Sequence, residues 1–272
     1  MIKLIGIDMD GTLLNKDKLI SLENINAIKH AKEKGITSVI ATGRPLCKTM
    51  IEYYKLLGLT GKGNYLIAYN GAAIYDMDSY EILNSKYITG KDVKRIDKFV
   101  KLYSNLSSHV YFFNREIKVM YEKLTKYTAL EETVNEIKLE KHNYSDFNDD
   151  DKIVKFMVVG EKEYLDEFVK EIPDELYKDY NILRSETFFL EFVNKEVNKY
   201  FGLKTVANLL GIKENSIMAI GDALNDLHMV EEAAIGVAMS NASNEIKKVA
   251  KFVTKSNNNN GVAHAINNWA IK

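Results

Sequence analysis

The chain has 272 residues, 46% hydrophobic and 28% charged, enough for one large domain or two modest ones with a real core. Its formal net charge of -1 points to neither nucleic acid nor an anionic membrane as a partner. A single cysteine, Cys47, rules out a disulfide framework within the chain, and a reducing cytoplasm is the expected location.

The first predicted strand, Ile2 to Ile7, runs into Asp8 and Asp10. These acids interrupt the apolar stretch before it reaches signal-peptide length, and no later run approaches a membrane span. Ser21 can cap a helix carrying Leu22, Ile25, Ile28 and Ala31, with Gly35 as its stop. Ile36 to Ala41 reads as a second strand ending at Thr42-Gly43-Arg44, and Pro45 suits the start of another helix. Residues 64–69 read as a strand, Asn70-Gly71 as a tight hairpin turn, and 72–75 as the return.

The texture changes between 84 and 187. Two apolar runs around a turn at Asn114-Arg115, a later run at 152–160, and helices at Asp92–Leu102 and Lys162–Glu171 suggest an α+β insertion. Residues 143–152 read as a solvated loop. Beyond, a helix from Lys199 ends at Gly211, a strand at 215–222 runs into Asp222, and a helix at Asn225–Glu232 follows. Then come a strand at 235–239, a helix at Glu245–Ala250 and a strand at 251–254. Alternation of this kind predicts a mostly parallel sheet covered on both faces, with ligands bound beyond the carboxyl ends of its strands. Residues 256–261, SNNNNG, read as a solvated turn.

Asp8 and Asp10 could be no more than an Asp-Gly turn after a strand. A second acid cluster, Asp222 and Asp226, follows another predicted parallel strand. If the two strands adjoin, four carboxylates converge and require a hard cation. The scattered histidines argue against zinc, and an all-oxygen donor set favours Mg²⁺. Thr42-Gly43 is either a helix cap or an anion site at a helix start. Lys199 opposes the dipole of the helix it begins. Arg44 could pair with an anionic substrate or with a nearby carboxylate. No GxGxxG, Walker loop or GxSxG elbow is present.

In that order, DMDGTLL (8–14), ATGRP (41–45), Lys199 and GDALND (221–226) resemble the four motifs of the haloacid dehalogenase-like phosphohydrolases. Residues 190–212, 215–242 and 250–266 are similar to the Cof-type branch of bacterial sugar phosphatases. The resemblance implies a Rossmann-like, mostly parallel α/β core at 1–83 and 188–272, with an inserted α+β cap of the C2 type at 84–187. It implies Asp8 as nucleophile and Asp10 as general acid and base. Mg²⁺ would be held by Asp8, the Asp10 carbonyl and Asp222. Thr42, Lys199 and Asn225, with the backbone of Met9 and Gly43, would hold phosphoryl oxygens, and Arg44, Asn70 and Gly71 would complete the substrate site. Asp226 would orient Lys199 or a metal-bound water.

The implied reaction is hydrolysis of a small phosphorylated metabolite through an aspartyl-phosphate, by a monomer or homodimer. A phosphosugar mutase and a non-catalytic phosphosugar-binding regulator are the alternatives. The sequence departs from the branch at Tyr200, where glycine is usual, and at Asn259-Asn260, where an acid is common.

Overall fold

The computed structural model describes residues 1–114 and 116–271, so the Arg115 half of the expected Asn114-Arg115 turn lies outside the described residues. The chain divides into two units, Met1–Ser85 with Asn198–Lys272, and Lys86–Val197. No helix among the described residues is long and apolar enough to cross a membrane.

The first unit begins with β1 (Leu4–Asp8), whose five residues are all buried. Next is α1 (Leu22–Glu33), with Ser21 Oγ accepting from the Asn24 N–H at 3.3 Å and Gly35 (φ 72°) ending the turn. β2 (Thr37–Ala41), α2 (Lys48–Leu57), β3 (Tyr65–Ala68), β4 (Ala73–Asp76) and β5 (Ile82–Ser85) complete its first segment. The connection between β3 and β4 is longer than the expected two-residue hairpin. Ala68 pairs with Ala73, and between them Tyr69–Gly71 form a 3₁₀ turn with all three residues at positive φ. The turn is held from outside the hairpin, by the Asn70 N–H donating to the Thr42 carbonyl at 2.9 Å.

The second unit runs β6 (Ile88–Thr89), α3 (Gly90–Val100), β7 (Ser107–Asn114), β8 (Glu116–Tyr121), α4 (Lys126–Asn135), β9 (Leu139–Lys141), β10 (Lys152–Val159), α5 (Lys162–Glu171), α6 (Asp174–Asp179), β11 (Tyr180–Glu186) and β12 (Phe189–Asn194). Its sheet has the order β11-β12-β10-β7-β8-β9, antiparallel except at β8/β9. One face carries Val110, Phe156, Val158, Leu190 and Phe192 into a core shared with Val93, Ile96, Leu165 and Phe168.

Two expectations are corrected in this unit. The sequence reading closed the insertion at 187, but β12 pairs with both β11 and β10, which carries the unit to Val197. The polar loop 143–152 is not wholly solvated. Tyr144 and Phe147 are buried in the core, because a 3₁₀ turn at Tyr144–Asp146 turns both rings inward while their acidic neighbours stay outside.

The chain then returns to the first unit through α7 (Lys199–Leu209), β13 (Ile217–Gly221), α8 (Leu227–Glu232), β14 (Ile235–Ala238), α9 (Asn244–Val249), β15 (Phe252–Val253) and α10 (Gly261–Ala265). The sheet order is β15-β14-β13-β1-β2-β3-β4-β5. The first six strands are parallel, and β4 and β5 are antiparallel. β1 lies between β13 and β2, so the loops bearing Asp8, Asp222 and Thr42 leave the same edge, where parallel sheets place their ligands.

Candidate active site

β1 and β13 are direct neighbours, with Ile7 opposite Ile220, and each runs into an acid. Lys199 enters from the start of α7, where the Asn198 side chain accepts from the Phe201 N–H at 2.8 Å. Its Nζ donates to Asp8 Oδ1 at 2.5 Å and Asp226 Oδ1 at 2.6 Å, and all three side chains are buried. Asp226 Oδ2 accepts the backbone N–H groups of Asp222 and Ala223 at 2.9 and 3.1 Å. Both of its oxygens are therefore committed to holding the lysine and the β13 loop. Burial disfavours the charged lysine, but Asp226 and Asp8 outweigh it and hold Lys199 above its ordinary range.

One ammonium does not neutralise this cluster. Burial, then Asp226, push Asp8 well above the usual carboxylate range against the pull of Lys199. Burial and Asp226 likewise push Asp222 up to about 6, although Thr12 Oγ1 donates to its Oδ1 at 2.8 Å. Gly11 is required beside it. Its φ is 82°, and a Cβ there would lie 2.3 Å from Asp222 Oδ2.

Asp8 Oδ2 is buried without a hydrogen-bond partner, and single oxygens of Asp8, Asp222 and Asp226 lie within 4.8 Å of one another. An orphaned carboxylate oxygen in an all-oxygen cluster fits a hard dication such as Mg²⁺. With Asp226 committed elsewhere, Asp8 and Asp222 are the side chains left to hold it.

Asp10 faces a different set of partners. Arg44 donates through Nε to Oδ2 and Nη2 to Oδ1, both at 2.7 Å, and Lys18 Nζ reaches Oδ1 at 2.7 Å. Burial pushes Asp10 up, but these two cations outweigh it and hold the carboxyl below its ordinary value. Of the two pairings open to Arg44 in the sequence, this structure displays the carboxylate one.

Thr42, Gly43, Asn70 and Asn225 come together on the other side. Asn225 Nδ2 donates to Asn70 Oδ1 at 3.0 Å, and Thr42 Oγ1 accepts from the Arg44 N–H at 3.1 Å. A Cβ on Gly43 would meet Asn70 Nδ2 at 3.2 Å. Gly71 has φ 103°, and a Cβ there would strike the Asn198 carbonyl at 2.2 Å, so this glycine lets the turn pack against the start of α7. Met9 is buried between the two acids, its carbonyl accepting from the Leu13 and Leu14 N–H groups at 3.1 and 2.9 Å.

Sequence reasoning missed Thr12, Lys18 and the asparagines that brace this loop. Asn257 Nδ2 donates to the Leu14 carbonyl at 2.9 Å, Asn258 Oδ1 accepts from the Lys16 N–H at 3.0 Å, and Asn241 Nδ2 donates to the Gly11 carbonyl at 2.8 Å. The asparagine run, read as a solvated turn, thus ties down the loop after Asp10. Of the departures, Tyr200 is buried with its hydroxyl on Glu214 at 3.1 Å, and Asn260 adopts φ 58° before Gly261.

A parallel sheet delivering acids and a buried lysine to one edge marks an α/β enzyme core. The particular family follows from comparison: the family model for haloacid dehalogenase-like hydrolases matches residues 5–266, and the chain belongs to that family. It is 36% identical over 271 residues to M6_Spy0533 of Streptococcus pyogenes serotype M6, covering 99% of each chain. It is 33% identical to the 5-amino-6-(5-phospho-D-ribitylamino)uracil phosphatase YcsE of Bacillus subtilis, over 99% of this chain and 96% of that one. Among solved structures, a haloacid dehalogenase-like hydrolase from Bacteroides thetaiotaomicron superposes with a TM-score of 0.81 at 30% identity, over 98% of this chain and 99% of that one.

Proposed function

We propose that the chain is a Mg²⁺-dependent phosphatase of small phosphomonoesters, sugar phosphates foremost, working through an aspartyl-phosphate on Asp8. The observation that carries this reading is Asp8 itself, with one oxygen on the buried Lys199 and the other without a partner. Family membership and a phosphatase relative at 33% identity support it.

A carboxylate approaching a phosphate dianion is repelled, so attack needs preorganised positive charge. Lys199 supplies part of it, with Asp226 fixing the ammonium. Mg²⁺ held by Asp8, Asp222 and the Asp10 backbone carbonyl would supply the rest as a Lewis acid. Thr42 and Asn225, with the Met9 and Gly43 N–H groups, hold the phosphoryl oxygens. Arg44, Asn70 and Gly71 shape the site around them. Asp8 attacks phosphorus, and Asp10 protonates the departing oxygen.

Asp10 then takes a proton from the water that cleaves the acyl phosphate. In this structure its carboxylate is held by Arg44 and Lys18, a state suited to the base role. The acid role requires Arg44 to release it. The inserted unit serves as the cap that reads the leaving group and excludes water. The enzyme works in the reducing cytoplasm.

The test is phosphate release from a panel of phosphorylated metabolites with Mg²⁺ present. Saturable release that disappears in Asp8→Asn is expected. No release from any ester, or phosphate moving between sugar positions without appearing free, contradicts the proposal.

A further inference from the structure

The loop after Asp10 presents a cation that the proposed reaction has not assigned. Lys18 Nζ donates to Asp10 Oδ1 at 2.7 Å. The lysine side chain is 61% exposed, so burial does not hold it there. Its backbone does not favour the position either. Lys18 sits at φ 58°, in the left-handed region that is costly for a residue with a Cβ. An exposed ion pair returns little against that cost.

The chain builds a frame to keep Lys18 in this strained place. Asn15 Oδ1 accepts from the Asp17 and Leu19 N–H groups, each at 2.9 Å, and the Lys18 N–H donates to the Asn15 carbonyl at 3.0 Å. Asn15 thereby folds 15–19 into a tight turn. The turn is also held from outside. The Tyr53 hydroxyl on α2 donates to the Lys18 carbonyl at 2.9 Å. Asn257 and Asn258 hold the neighbouring Leu14 and Lys16. Strain that packing does not require, fixed by bonds from distant segments, points to function.

Arg44 and Lys18 divide the Asp10 carboxylate unequally. Arg44 takes Oδ2 through Nε and Oδ1 through Nη2, whereas Lys18 takes Oδ1. When Arg44 lets go, Oδ2 is released and Oδ1 stays on Lys18. Arg44 cannot itself be the lasting anchor, because the acid role requires it to leave.

We propose that Lys18 is a positioning residue for the phosphatase reaction: its ammonium anchors Asp10 by Oδ1 and leaves Oδ2 to transfer the proton once Arg44 withdraws. The proposal rests on the phosphatase reading. A proton crosses only within hydrogen-bond reach, and a misplacement of about 1 Å can slow a step about 10²-fold. Lys18 acts through Asp10 and makes no contact with the phosphoryl group.

The test is rapid-mixing kinetics of wild type, Lys18→Gly and Lys18→Arg with p-nitrophenyl phosphate. Glycine adopts φ 58° without strain, so the loop keeps its path, and thermal melts check the folding. Release of the first nitrophenolate needs no proton, so Lys18→Gly should keep the wild-type rate and half-saturation for that step. Decay of the aspartyl-phosphate needs Asp10 in place and should slow by about ten- to a hundred-fold. Lys18→Arg, which keeps the cation, should recover most of that loss. Decay at the wild-type rate in Lys18→Gly overturns the proposal. Equal slowing of both steps also overturns it, because that marks a structural fault in the loop. A raised half-saturation overturns it too, because that marks a substrate contact. A wild-type chain that releases no nitrophenolate fails the phosphatase reading and takes this proposal with it, and that failure shows before any substitution is made.

Discussion

Lys199→Met tests whether one ammonium holds the acid cluster together. The side chain is 1% exposed, and its Nζ touches carboxylates at 2.5 and 2.6 Å. Methionine fills the volume but leaves Asp8 and Asp226 facing each other in a buried site. Removing one partner of a buried ion pair costs about 3–5 kcal/mol, chiefly through the charge left behind. The deficit should depend on pH. Asp8 already lies above the usual carboxylate range, so in the variant the folded state takes up a proton more readily than the unfolded chain. The loss should therefore be largest at alkaline pH and shrink as pH falls. Mg²⁺ should restore part of it, about 2.7 kcal/mol at a hundred times its Kd. Urea unfolding at several pH values, with and without Mg²⁺, measures all three effects. A loss under about 1 kcal/mol at neutral pH, unaffected by Mg²⁺, would refute the reasoning, since that is the range of exposed ion pairs.

Three further outcomes are expected. Exhaustive chelation should abolish phosphate release, and Ca²⁺ should inhibit rather than replace Mg²⁺, because its larger coordination number ties up the attacking oxygen of Asp8; full activity in chelator contradicts this. Gly71→Ala forces a Cβ to within 2.2 Å of the Asn198 carbonyl at φ 103°, so it should cost about 1–3 kcal/mol and lower kcat by shifting Lys199; a change below about 0.5 kcal/mol would show that the turn yields. Buried Glu131 on α4 accepts from His109 Nε2 and the Tyr111 hydroxyl. Its carboxyl falls from 4.5 to about 2 on folding, so it contributes up to about 3 kcal/mol above its unfolded value, lost as pH drops through the folded one. The difference in urea midpoint between wild type and Glu131→Gln should therefore shrink between pH 5 and 2, and a constant difference would contradict the assignment.

The sheet edge was legible because its signals are local. A short apolar run ending in an acid marks β1 and β13, and their adjacency alone brings Asp8, Asp222 and Asp226 together. Lys199 was legible as an anomaly, a cation at a helix start, and its reason is the pair of carboxylates it meets. What escaped depends on contacts between distant positions. Nothing in the spacing of Asp10, Lys18 and Arg44 says that both cations close on one carboxylate. The asparagine run looks like a solvated turn until Asn257 and Asn258 are seen bonding to Leu14 and Lys16. β12 was placed with the core because 190–212 resemble the Cof-type branch as one continuous stretch, and only its pairing with β10 and β11 reveals the other sheet. Tyr144 and Phe147 were hidden by the acids around them, since average polarity says nothing about which way two rings point.

The central claim is covalent catalysis by Asp8 with Asp10 as its proton partner, and rapid-mixing kinetics of Asp10→Asn with p-nitrophenyl phosphate tests it most directly. Nitrophenolate departs without needing a proton, whereas hydrolysis of the aspartyl-phosphate loses its base and should slow by about 10²–10⁴-fold. The expected trace is a burst of one nitrophenolate per active site followed by a slow steady state, absent from Asp8→Asn. A linear trace from Asp10→Asn that slows equally with aryl and sugar phosphates, or a burst that survives in Asp8→Asn, would contradict the account.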